Sequence, residues 1–133
     1  MRILALDVGK RRIGVAITDP LALTARPHST IPRNREAPQK IAAIIHEMEI
    51  GKLLVGLPLH LSGAEGEQAA DVRSFVERLA PLISIPVEFR DERLTTVEAE
   101  QRLWDKRGDW RKRKKEIDAV AASVMLQDYL RER

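Results

Sequence analysis

Four acids, Asp7, Asp91, Glu92 and Asp118, sit where the sequence can put a carboxylate to chemical use. Asp7 closes a short apolar run over residues 3–6. Gly9 and three cations, Lys10, Arg11 and Arg12, follow before a second apolar run over 13–17 leads to Asp19. An acid at the end of a buried strand can hold a cation, and a Gly-Lys-Arg-Arg turn can face a phosphate. The same aspartate can also serve as a turn residue that accepts backbone N–H groups. Carboxylates gathered in one place repel and raise one another's pKa, a conflict that a divalent cation resolves. An all-oxygen donor set suits Mg²⁺ or Mn²⁺ rather than zinc or copper.

Other chemistries find less support. The chain has no cysteine, which excludes disulfides, thiolate metal sites and a cysteine nucleophile. His28, His46 and His60 share no metal-ligand spacing, and no serine stands in a nucleophile-elbow context. His60 and Ser62 fall in a polar segment over residues 58–66, read as a mobile loop whose polarity alone accounts for them.

Asp118 is the most informative acid. Ile117, Val120, Ala121 and Val124 form an apolar stripe at helical spacing. Asp118, Ala121, Ala122, Met125 and Tyr129 form an adjoining one, so Asp118 stands on or beside the buried face. An unpaired carboxylate there costs several kcal/mol. Two structural roles compete with a site role: an acid near a helix N-terminus, or an ion pair with the neighbouring basic block. The small residues Ala119, Ala121 and Ala122 allow this helix to approach a sheet closely.

The charge is uneven. Net charge is +3, yet Lys106, Arg107, Arg111, Lys112, Arg113, Lys114 and Lys115 crowd ten positions against the single acid Asp109. Such a block reads either as a nucleic-acid contact or as a solvated loop. Trp110 within it can stack on an unpaired base or anchor the loop. With 44% apolar and 32% charged residues, 133 positions suffice for one domain, residues 1–133, with its own core. No apolar run approaches the ~20 residues a membrane helix needs. No signal or transit peptide is visible, which fits an intracellular protein.

The elements that must position these groups follow from pattern. Residues 3–6 and 13–17 predict a β-hairpin, and 21–31 a third strand whose Pro27 requires an edge or a bulge. Ile41, Ile44, Ile45 and Met48 predict a helix stopped by Gly51, and 53–57 a strand buried on both faces. Val72, Phe75, Val76, Leu79 and Leu82 mark a second helix, and Ile85, Val87 and Phe89 alternate as a strand ending at residues 90–93. Thr95 and Glu98 match a capping box ahead of a helix with Val97, Leu103 and Trp104; a last helix runs from about Glu116 to Leu130. The order implies an α/β domain with a partly parallel sheet. Asp7, the 58–66 loop and Asp91-Glu92 then fall at strand carboxyl ends, where such sheets bind ligands.

Four blocks, LALDVGKRRIGVAITDP, LLVGLPLHLSGAEG, DERLTT and EIDAVAASVMLQDYL, resemble the YqgF family, also called RuvX, of Holliday junction resolvases or pre-16S rRNA nucleases. They span nearly the whole chain in the family's order. The resemblance implies an RNase H-like fold: a mixed sheet of about five strands with helices on both faces. It also implies metal-dependent phosphodiester cleavage, with the family's acids carried onto Asp7, Glu92 and Asp118. Strand alternation alone places Asp91, not Glu92, in phase with Val87 and Phe89, so Glu92 rests on the resemblance.

The expected reaction is hydrolysis of a nucleic-acid phosphodiester with two Mg²⁺ or Mn²⁺ ions between the carboxylates. Lys10, Arg11 and Arg12 would hold phosphates beside the site. Arg93, Arg111, Lys112, Arg113, Lys114 and Lys115 would grip the flanking backbone without reading sequence. The resemblance implies 5′-end maturation of pre-16S rRNA in the bacterial cytoplasm, on structured or single-stranded RNA. The alternative is resolution of four-way DNA junctions, which requires a two-fold homodimer to cut two symmetry-related strands. Two further classes share features of the chain: a non-catalytic nucleic-acid-binding protein, and an actin- or sugar-kinase-type ATP module, which needs a second subdomain.

Overall fold

The computed structural model describes residues 1–91 and 110–132, with side chains of the final helix described from residue 118 onward. Three antiparallel strands come first: β1 (Arg2–Val8), β2 (Arg12–Thr18) and β3 (Ala25–Pro32). Helix α1 (Ala37–Glu47) leads to β4 (Ile50–Leu57). Helix α2 (Glu67–Leu79) and a 3₁₀ turn (Ala80–Leu82) lead to β5 (Val87–Asp91). Helix α3 (Trp110–Arg131) closes the described chain. The sheet order is β3-β2-β1-β4-β5, with β4 and β5 parallel to β1. The carboxyl ends of β1, β4 and β5 therefore share one edge of the sheet.

Strand alternation divides the core between two faces. Leu4, Leu6, Val8, Ile13, Val15, Ile17, Leu53, Val55 and Leu57 pack with Ile41, Ile45, Val72, Phe75 and Leu79 of α1 and α2. Ile3, Ala5, Ala16 and Leu54 pack on the other face against Ala122, Met125 and Leu126 of α3. Burying each larger side chain contributes about 1.5–3 kcal/mol. The run over 53–57 is buried on both faces, as its unbroken apolar pattern predicts.

Pro27 does what its missing N–H demands. Strand β3 is a sheet edge, and its register with β2 shifts between Val15↔Ser29 and Ala16↔Pro27, so His28 is an extra residue. Other expectations need correction. Helix α1 is ended not by Gly51 but at Met48 and Glu49, whose φ of 53° turns the chain. Gly51 lies inside β4, where a Cβ would meet the Met1 side chain. Leu82 is exposed beyond the end of α2. The last helix begins at Trp110 rather than near 116, so Arg111, Lys112, Arg113, Lys114 and Lys115 lie on helix and not in a loop. Lysine and arginine are good helix formers, and a run of them lacks the apolar periodicity that announces a helix. The capping-box helix expected after residue 95 lies outside the described residues.

Candidate active site

Asp7 is the penultimate residue of β1 and half-buried. Its neighbour across the hairpin is Gly14. The pairs on either side set its direction: Leu6 and Val15 belong to the α1/α2 face, and Ala5 and Ala16 lie toward α3. One step from Leu6, Asp7 therefore faces α3. Helix α3 meets the sheet there at unusually close range. A Cβ built on Gly14 would stand 1.9 Å from the Asp118 carbonyl oxygen. Only glycine admits that approach. Directly opposed strand residues lie about 5 Å apart between Cα atoms, so the backbone of Asp118 stands beside Asp7. Ala119, Ala121 and Ala122 are buried where the helix crosses.

The Asp118 carboxylate is not unpaired. Arg12 Nε donates to its Oδ2 at 2.8 Å, with side-chain exposures of 33% for Arg12 and 22% for Asp118. The sequence allows an ion-pair role for this acid, and among the described side chains the hairpin's Arg12 fills it. Arg12 is thus engaged with an acid, whereas Lys10 and Arg11 at the turn tip are exposed.

Sequence reading missed what holds this turn. Gly9 N–H donates to the Arg12 carbonyl at 2.8 Å, and Arg33 N–H donates to the Arg11 carbonyl at 2.8 Å. The Arg33 guanidinium reaches the Gly9 carbonyl at 3.0 Å and grips Asp71 of α2 through two bonds of 2.6 and 2.8 Å. It also lies over the Phe75 ring, 5.4 Å from its centroid. The Arg33 hydrogen bond holds the Asp71 carboxyl below its ordinary value, against the opposing effect of desolvation. The partners are 38 residues apart, and no local pattern announces such a pair.

The two candidates on β5 are separated by register. Asp91 pairs with Leu57, which packs on the α1/α2 face, and so Asp91 points away from Asp7 and Asp118. Glu92 and Arg93 lie outside the described residues. Beside the same edge, on the α2 side, opens a cleft of about 680 Å³ lined by Val8, Lys10, Pro58, Gln68 and Asp71. The 58–66 loop is tied by its own bonds, with a Leu59↔Glu65 bridge and His60 N–H donating to the Ala64 carbonyl at 2.9 Å. Ser62 Oγ accepts from Ala64 N–H, as local loop polarity predicts.

No group of three potential metal ligands occurs among the described residues. Asp7 and Asp118 nevertheless supply two carboxylates on one face at the end of β1. Their oxygen chemistry suits Mg²⁺ or Mn²⁺.

A β3-β2-β1-β4-β5 sheet with helices on both faces, and with acids on its first strand and crossing helix, defines an RNase H-like fold. The chain belongs to the RuvX family, whose model, described as Holliday junction resolvase, matches residues 1–132. Relatives provisionally named pre-16S rRNA nuclease include one from Roseiflexus, 48% identical over 97% of this chain and 93% of its own. Others are from Anaeromyxobacter, 47% identical over 98% and 96%, and from Streptococcus thermophilus, 38% identical over 98% and 97%. Among solved structures, Thermus thermophilus RuvC with a Holliday junction substrate superposes at TM-score 0.61, 14% identical, over 99% of this chain and 96% of that one. Fowlpox virus resolvase with Holliday junction DNA gives 0.60, 12% identical, over 99% and 98%.

Proposed function

We propose that this RuvX-family nuclease, acting as one domain over residues 1–133, hydrolyses RNA phosphodiesters with Mg²⁺ or Mn²⁺ in 5′-end processing of pre-16S rRNA. The observation that carries the reading is the close seat of Asp118 over Gly14, across the hairpin from Asp7. Arg12 already pairs with one of these acids, and a cation shared by Asp7 and Asp118 would give the two carboxylates a common purpose.

Asp7 and Asp118 would hold the metal, with Glu92 as the third acid. Bound there, the metal would activate the attacking water and stabilise the departing oxygen. The protein's own part is placement. The Arg33–Asp71 clamp fixes the hairpin turn, and the exposed Lys10 and Arg11 at its tip are free to meet phosphates. Arg12 keeps Asp118 in place and adds a positive charge beside the site.

The start of α3 supports a polyanionic partner. Its first turn has no acid and the five successive cations 111–115 follow Trp110, an arrangement that opposes the helix dipole. A nucleic-acid backbone relieves that repulsion. Arg93 would add to the grip. The relatives' names favour RNA, and work on bacterial pre-rRNA would place the protein in the cytoplasm. No helix among the described residues is long and apolar enough to cross a membrane.

Resolution of four-way junctions is the second reading, favoured by the family model's description and by the junction-bound structural neighbours. Matched cleavage assays decide between them. A pre-16S RNA carrying its 5′ leader should be cut by monomeric protein, and a four-way DNA junction poorly. Preferred cleavage of the junction by a stable homodimer would overturn the RNA reading.

A further inference from the structure

The Arg12–Asp118 pair connects the carboxylate that would hold a cation to the turn that would hold a phosphate, a link that rests on the metal-dependent function proposed for this site. The contact is side-on. One of the five guanidinium N–H groups, the one on Nε, donates to Asp118 Oδ2. Among the described residues the Nη groups of Arg12 and the Oδ1 of Asp118 make no hydrogen bond. Among the described residues each partner is thus used on one side only, and both are part-exposed. Their backbones are fixed, Arg12 by the Gly9–Arg12 turn bond and Asp118 by its seat on Gly14.

We propose that Arg12 is a positioning residue that couples cation loading to nucleic-acid binding. Its Nε orients the Asp118 carboxylate through Oδ2, and its Nη groups take a substrate phosphate. Without nucleic acid, the guanidinium charge beside Asp118 opposes a divalent cation at that carboxylate. A phosphate on the Nη groups cancels the charge, and cation affinity rises. Linkage requires the reciprocal effect: the cation tightens nucleic-acid binding by the same factor. Arginine suits this role because its planar fork serves two anions at once, which a lysine ammonium does not.

The test measures binding, not turnover. A short fluorescein-labelled single-stranded RNA is titrated by anisotropy in chelator and in Ca²⁺ at matched ionic strength. Thermal melts without RNA record the effect of Ca²⁺ alone. The proteins are the parent, Arg12→Gln, Arg12→Lys and Asp118→Asn, the last setting the baseline for Ca²⁺ acting on the RNA itself. Relative to that baseline, Ca²⁺ should tighten RNA binding by the parent about fivefold or more. In Arg12→Gln the ratio should fall close to one, while Ca²⁺ alone raises its melting temperature more than the parent's. Arg12→Lys keeps the charge and should still lose most of the ratio. An Arg12→Gln protein that keeps the parent's ratio overturns the proposal, even if it melts lower in every buffer, because a purely structural role gives that result. If Ca²⁺ neither tightens RNA binding nor raises the melting temperature of the parent above Asp118→Asn, the metal-dependent reading falls and takes this proposal with it.

Discussion

Asp91 and Glu92 are neighbours with opposite prospects. Asp91 pairs with Leu57 on the face packed by α1 and α2, away from Asp7. Asp91→Asn should therefore retain cleavage near the parent rate, while Glu92→Gln nearly abolishes it, as the members of a cooperating cluster do. The reverse pattern in a single-turnover assay would move the third acid to Asp91. Alternation in the sequence shows which residues of a strand share a face. It does not show which helix covers that face, and only the Leu57 register supplies this. Asp7 and Asp118 are legible because an apolar run ends at one and an apolar stripe adjoins the other. Arg33 is not legible, because its partner Asp71 lies on a distant helix. That pair carries a pH signature. A carboxyl held below its ordinary value of 3.8 contributes its full stability above that value and loses it as pH falls through the lowered one. Asp71 is half-exposed, so Asp71→Asn should cost at most about 1 kcal/mol at neutral pH. The gap to the parent should close in strong acid, and melts in which it stays constant would show that the charge does not matter.

At the scale of elements, one glycine decides where α3 sits. Gly14→Ala puts a Cβ against the Asp118 backbone, which cannot move without shifting the helix. Overpacking of this kind costs about 1–3 kcal/mol. Cleavage should fall by more than the loss of folded protein accounts for, because Asp118 moves relative to Asp7. Gly51→Ala is the contrasting case: its Cβ meets the flexible Met1 side chain, and both stability and cleavage should change little. Melting and specific activity of the two variants check this, and equal losses would remove the special role of Gly14. Neither role can be read from the chain, since a glycine in a strand looks the same whether a helix backbone or a methionine fills its space. The small residues 119, 121 and 122 do announce a close approach, but not the strand that receives it. The basic block reads as a loop because a charged helix without an apolar stripe lacks the signal that periodicity detects.

The whole molecule separates its tasks by face and edge. The parallel strands β1, β4 and β5 bring their carboxyl ends to one side, as the alternation of strands and helices in the sequence implies. Helix α3 supplies the acid on one face, and α2 braces the hairpin turn from the other. The far edge, β3, is guarded by Pro27 and the extra residue His28, which disfavours association by edge pairing. The most direct test of cation-dependent hydrolysis by Asp7, Glu92 and Asp118 is cleavage of end-labelled pre-16S 5′-leader RNA by the parent and by Asp7→Asn. Each protein is assayed in Mg²⁺, in Mn²⁺ and in chelator. The parent should cut with either ion and stop in chelator, and Asp7→Asn should lose at least about a hundredfold in rate with both ions. Undiminished cleavage by the parent in chelator, or by Asp7→Asn in Mg²⁺, would contradict the metal-dependent site.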